Sequence, residues 1–94
     1  MDDLPVQDIL KIASKHGARD IRIFGSYARG DATEQSDLDI LVTLPPEATL
    51  LSLIAIEQEL IEHLGFPVEV VTEAELHPRL RERILAEAKP LIAA

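Results

Sequence analysis

Apolar residues near the start of the chain, Val6, Ile9, Leu10 and Ala13, fall at i, i+3, i+4 and i+7. With Pro5 suited to a first turn and Gly17 to the residue after the last one, this spacing predicts an amphipathic helix. The pattern then changes. Ile21-Arg22-Ile23-Phe24 is short, rich in β-branched residues and bounded by Gly25, and Leu38 to Thr43 is a second such run, ended by Leu44-Pro45-Pro46. Both predict strands. From about Thr49 to Leu64 the positions Leu50, Leu53, Ile54, Leu60, Ile61 and Leu64 form a helical stripe broken only by Glu57, and Gly65 with Pro67 stops it. Val68 to Thr72 follows as a third strand. A last helix starts around His77, because Pro78 deeper inside it would cost about 3 kcal/mol, whereas a proline in the first turn costs nothing. Leu80, Ile84 and Ala88 then line one face.

The order α-β-(short α)-β-α-β-α predicts an α/β (α+β) fold, in which a small mixed sheet has helices packed on one face and is comparatively open on the other. The 94 residues are read as a single domain, 1–94. Hydrophobic residues make up 47% of the chain, yet Phe24, Tyr27 and Phe66 are its only aromatics. The core must therefore rest on aliphatic side chains, and platforms for stacking single-stranded nucleic acid are scarce. A formal net charge of −8 disfavours direct contact with a phosphate backbone. Cysteine is absent, which excludes disulfides and thiolate metal sites. An acidic N-terminus without an apolar leader, and no apolar run of about 20 residues, lead us to expect a soluble, cytoplasmic protein without a membrane partner.

The chemistry is concentrated between Gly25 and Val42. Alternation along a strand sends Asp37 and Asp39 to one face and Leu38, Ile40 and Val42 to the other. Two neighbouring carboxylates repel each other by a few kcal/mol at about 5 Å and an effective dielectric near 20, and a divalent cation relieves that repulsion. Mg²⁺ is commonly held by one or two carboxylates together with substrate phosphates. Gly25-Ser26, directly after a strand, offers backbone N–H groups and a hydroxyl to an anion. Glu69, between Val68 and Val70, supplies a third acid if it turns away from the core toward Asp37 and Asp39. Arg29 has two equal readings, a phosphate contact or a surface pair with Asp31. Tyr27 reads as packing and Ser36 as a turn cap. His16, His63 and His77 read as helix-end residues, while Arg79, Arg81 and Arg83 alternate with Glu82 and Glu87 as a solvated face. Leu85, Leu91 and Ile92 either pack on the domain, the reading preferred, or dock a partner.

Gly-Ser, ten intervening residues and then Asp-x-Asp resembles the signature of the nucleotidyltransferase superfamily that includes DNA polymerase beta. Val68-Glu69-Val70-Val71-Thr72 and the stretch from Leu76-His77-Pro78 to Pro90-Leu91 are similar to its smallest branch, the minimal nucleotidyltransferases (MNT), often antitoxins paired with HEPN-domain toxins. The resemblance implies that Gly25 and Ser26 bind the β- and γ-phosphates of ATP, with Arg29 beside them. It further implies that Asp37, Asp39 and Glu69 are the catalytic and metal-binding acids, holding Mg²⁺ as a pair of ions. The implied activity is protein adenylylation, AMP passing from ATP to a tyrosine hydroxyl of a HEPN toxin; the alternative is an antitoxin that neutralises a HEPN ribonuclease by binding alone. Glu69 departs from the family, which commonly has Asp there, and one added methylene displaces a carboxylate that must be placed closely. Nucleotide preference and homo- or hetero-oligomerisation stay open.

Overall fold

The computed structural model describes residues 4–92; the acidic start of the sequence, residues 1–3, lies outside them. Helix α1 (Val6–Lys15) buries Ile9 and Ala13 as the spacing requires. Strand β1 (Arg19–Phe24) leads through Gly25 into a single-turn helix α2 (Ser26–Arg29), and β2 (Leu38–Thr43) follows. Helix α3 (Leu50–Leu64) starts where the Thr49 hydroxyl accepts from the Leu51 N–H at 3.2 Å and ends on left-handed Gly65. Strand β3 (Val68–Val71) and a 3-10 turn (Glu73–Glu75) lead to α4 (Pro78–Glu87), in which Pro78 occupies the first turn. The His77 ring caps that helix, Nδ1 accepting from the Arg79 N–H at 3.2 Å.

The sheet order is β3-β2-β1-β4. β1 runs antiparallel to β2, with Phe24 opposite Asp39, whereas β2 and β3 are parallel, with Asp39 level with Glu69. The fourth strand, β4 (Lys89–Pro90), pairs Ile23 with Lys89 and Arg22 with Pro90 at the sheet edge, where a proline removes no needed donor. Two residues carry no periodicity, so the sequence gives no sign of this strand.

The main core joins Ile21, Ile23, Leu38, Ile40, Val42, Val68 and Val70 to Ile9, Ala13, Leu53, Ile56 and Leu60 of the helices. A smaller cluster, Phe24, Leu41 and Leu76, forms from the opposite alternation of β1 and β2, and Ile84, Leu85 and Ala88 pack against it. The second face is thus roofed in part by α4, which fixes what stands over Asp39. Leu91 is buried and Leu85 is half-buried, but Ile92 is exposed, contrary to the expectation of packing for all three.

In α3 the buried face is Leu53, Ile56 and Leu60, while Leu50, Ile54 and Ile61 of the expected stripe are exposed at 64%, 48% and 37%. The helix is apolar on most sides, so periodicity alone does not choose its inner face. Glu57 helps to choose it, its Oε2 accepting from the Val70 N–H on edge strand β3 at 3.0 Å. A carboxylate there satisfies a backbone donor that the sheet edge would leave free.

Candidate active site

Gly25 ends β1 with φ +72° and ψ −152°, a conformation that side chains oppose. A Cβ built there would lie 2.4 Å from Asp39 Oδ2. Glycine is therefore required twice, by the backbone and by the carboxylate that abuts it. Ser26 opens α2, Ala28 is buried beneath it, and Tyr27 stacks on Phe66 with ring centroids 6.1 Å apart, so Tyr27 serves packing as expected.

On β2, Leu38 and Ile40 are fully buried and Asp39 faces the other way, half-buried, with exposed Asp37 just before the strand. Gly25, Ser26, Arg29, Asp37 and Asp39 line one cavity of about 380 Å³, closed from the other side by Leu80, Arg83, Ile84 and Glu87 of α4. Glu69 is level with Asp39 in the sheet, but it is exposed and outside this cavity. The sheet order sets Glu69 beside Asp39 but away from Gly25: β1, which delivers Gly25, lies on one side of β2, and β3, which carries Glu69, lies on the other. Among the described residues no three acidic or histidine side chains stand together as a ready-made metal cage.

Electrostatics mark Asp39 as the unusual member. Burial, and then the carboxylates of Glu69 and Asp37, push its carboxyl up to about 6, while Arg29 acts in the opposite direction. An acid that holds its proton more tightly folded than unfolded makes the chain less stable as pH climbs from about 4 to about 6, with the loss complete above that. Asp39→Asn is accordingly expected to raise the melting temperature in chelator at pH 7.5, on the order of 5 °C, and to change it little at pH 4. Equal shifts at both pH values would contradict this electrostatic description.

Arg29 forms the surface pair with Asp31 and a second one with Glu87. Its Nε donates to Asp31 Oδ2 at 3.3 Å, and its Nη1 donates to Glu87 Oε1 at 2.9 Å. The other Glu87 oxygen accepts from the Gly25 N–H at 2.7 Å. Arg29 and this backbone donor hold the Glu87 carboxyl below the usual carboxylate range. Reading Glu87 as part of a solvated helix face is thus corrected, since it is half-buried against Gly25 and Arg29, whereas Arg83 is exposed as read, at the rim of the cavity. Glu87 is 62 residues from Gly25, and local pattern carries no signal of that contact. Other expectations stand: the Ser36 hydroxyl accepts from the Thr33 N–H at 2.8 Å within its turn, and His16 and His63 sit at helix ends beside Glu59 and Asp8.

Known proteins resemble the chain over most of its length. The family model described as "Nucleotidyltransferase domain" matches residues 6–92. MJ0435 of Methanocaldococcus jannaschii, provisionally named a protein adenylyltransferase, is 48% identical over 80 residues, covering 85% of this chain and 86% of the relative. The protein adenylyltransferase MntA of Thermococcus cleftensis is 38% identical over 77 residues, covering 82% and 78%. A chain in the solved complex of tri-AMPylated Shewanella oneidensis HEPN toxin with MNT antitoxin shares the fold, with a TM-score of 0.73 at 22% identity, over 100% of this chain and 74% of that one. No helix among the described residues is long and apolar enough to cross a membrane. A four-stranded mixed sheet that sets Gly25 against Asp39, within a family match spanning nearly the whole chain, places this protein in the nucleotidyltransferase domain family.

Proposed function

We propose that the chain transfers AMP from ATP to a tyrosine hydroxyl of a HEPN-domain toxin and so acts as an antitoxin. The observation that carries the reading is the meeting of Gly25 with Asp39 in one cavity with Ser26, Arg29 and Asp37. Support comes from the names of the two relatives and from the AMPylated toxin bound in the complex that shares this fold.

In this reading the Gly25 N–H and the Ser26 hydroxyl hold the β- and γ-phosphates, and Arg29 balances their charge. The acceptor oxygen attacks the α-phosphorus in line, the bond to the β-phosphate oxygen breaks, and pyrophosphate leaves. Glu69, level with Asp39, takes the hydroxyl proton. Asp37 and Asp39 fit Mg²⁺, because two crowded carboxylates, one of them reluctant to ionise, form the hard oxygen donor set that this ion takes alongside phosphates. When bound, Mg²⁺ supplies charge neutralisation at the triphosphate.

The test is incubation of the purified chain and its toxin with labelled ATP and Mg²⁺. Label on the toxin that vanishes with Asp39→Asn, or with the acceptor tyrosine changed to phenylalanine, is the expected result. A second reading, neutralisation by binding alone, is favoured by Glu69 standing where the family commonly has Asp and by the exposed Ile92. Neutralisation without label, unchanged in Asp39→Asn, would establish it instead.

A further inference from the structure

Glu87 stands where the proposed function needs an anion. One carboxylate bridges two donors from different parts of the α2 turn, the Gly25 N–H at 2.7 Å and the Arg29 guanidinium at 2.9 Å. A phosphate group presents the same pair of oxygens to the same kinds of donor. Glu87 is not a wandering surface acid, since its side chain is only 17% exposed. Its helix is anchored on both sides of it: Ile84 and Ala88 pack on the Phe24 cluster, and Lys89 pairs with Ile23 two residues before Gly25.

Resting on the reading that a triphosphate binds at Gly25-Ser26, we infer that Glu87 is a built-in competitor for that site, which a nucleotide must displace from Gly25 and Arg29 in order to bind. A single carboxylate yields to a ligand that carries several negative charges and brings a cation to Asp37 and Asp39. The exchange leaves Arg29 paired throughout, first with Glu87 and then with phosphate. Glu87 thereby sets how tightly the chain holds ATP. A positioning role, in which Glu87 merely orients Arg29, leads to the opposite result on mutation.

Calorimetric titration of ATP, and separately of inorganic tripolyphosphate, into the wild-type chain, Glu87→Gln and Glu87→Ala in Mg²⁺ decides between them. Both variants are expected to bind both ligands about tenfold more tightly, the penalty of a site whose competent form is about a tenth of the population. Tripolyphosphate is included because the competition concerns phosphate donors and not the base. Unchanged or weaker binding by variants whose circular dichroism and melting match the wild type would overturn the proposal alone. Absence of binding by every form, or wild-type affinity untouched by Ser26→Ala and Asp39→Asn, would overturn the reading of the site and the proposal with it.

Discussion

Asp39→Asn is expected to lower the rate of AMP transfer by about a thousandfold or more, the equivalent of roughly 4 kcal/mol of transition-state stabilisation, in a chain that remains folded. The substitution keeps the shape of the side chain and removes its charge. Asp39 is the acid pressed against Gly25, on the face of β2 opposite buried Leu38 and Ile40. Its carboxyl is raised to about 6 chiefly by burial, which leaves it largely ionised only above that pH. Transfer by the wild type is therefore expected to fall as pH drops below about 6, at limiting Mg²⁺, because the proton and the cation compete for one carboxylate. Single-turnover rates with labelled ATP and saturating toxin check both statements. A variant that keeps more than a tenth of the wild-type rate, or a rate flat from pH 5 to pH 8, would show that Asp39 is not the metal-binding acid.

Gly25→Ala is the second large effect, and it separates stability from chemistry. The new methyl group would sit 2.4 Å from Asp39 Oδ2 at a backbone angle of φ +72°, so either the end of β1 or the carboxylate must shift. Strain of this kind costs about 1–3 kcal/mol, which in a domain of this size lowers the melting temperature by about 5–20 °C. Displacing a reacting group by about 1 Å costs on the order of a hundredfold in rate. Gly30 provides the control. It also has positive φ, +84°, but a Cβ there meets nothing within 4 Å. Gly30→Ala should lose about 1–2 kcal/mol of stability from the left-handed backbone alone and keep its rate. Equal rates for the two alanine variants would refute the tight approach of Gly25 to Asp39.

How far the sequence reveals this arrangement depends on the distance over which each feature is set. Pro78 and Gly65 mark helix ends through the restrictions they place on their own backbone, and both ends lie where those residues put them. Val-Glu-Val alternation places Glu69 on the outward face of β3, and the parallel register sets it level with Asp39. Alternation does not reveal the strand order, however, and it is the order that leaves Glu69 on the far side of β2 from Gly25. The inner face of α3 is decided by the Glu57 contact with the β3 edge and by packing on the sheet, which periodicity in an apolar helix does not contain. Strand β4 is two residues long and exists because α4 returns the chain to β1. The same return carries Arg83 and Glu87 over the cavity, where a local reading sees only a charged helix face.

In the proposed reading Gly25-Ser26 and Asp37/Asp39 form one site that takes a triphosphate only together with a divalent cation. Titrating ATP into the wild-type chain and into Asp39→Asn, each in Mg²⁺ and in chelator, tests it most directly. Strong binding by the wild type in Mg²⁺, with at least a tenfold loss both on chelation and on the substitution, is the expected result. Binding of equal strength with and without Mg²⁺, or indifferent to the loss of Asp39, would contradict it.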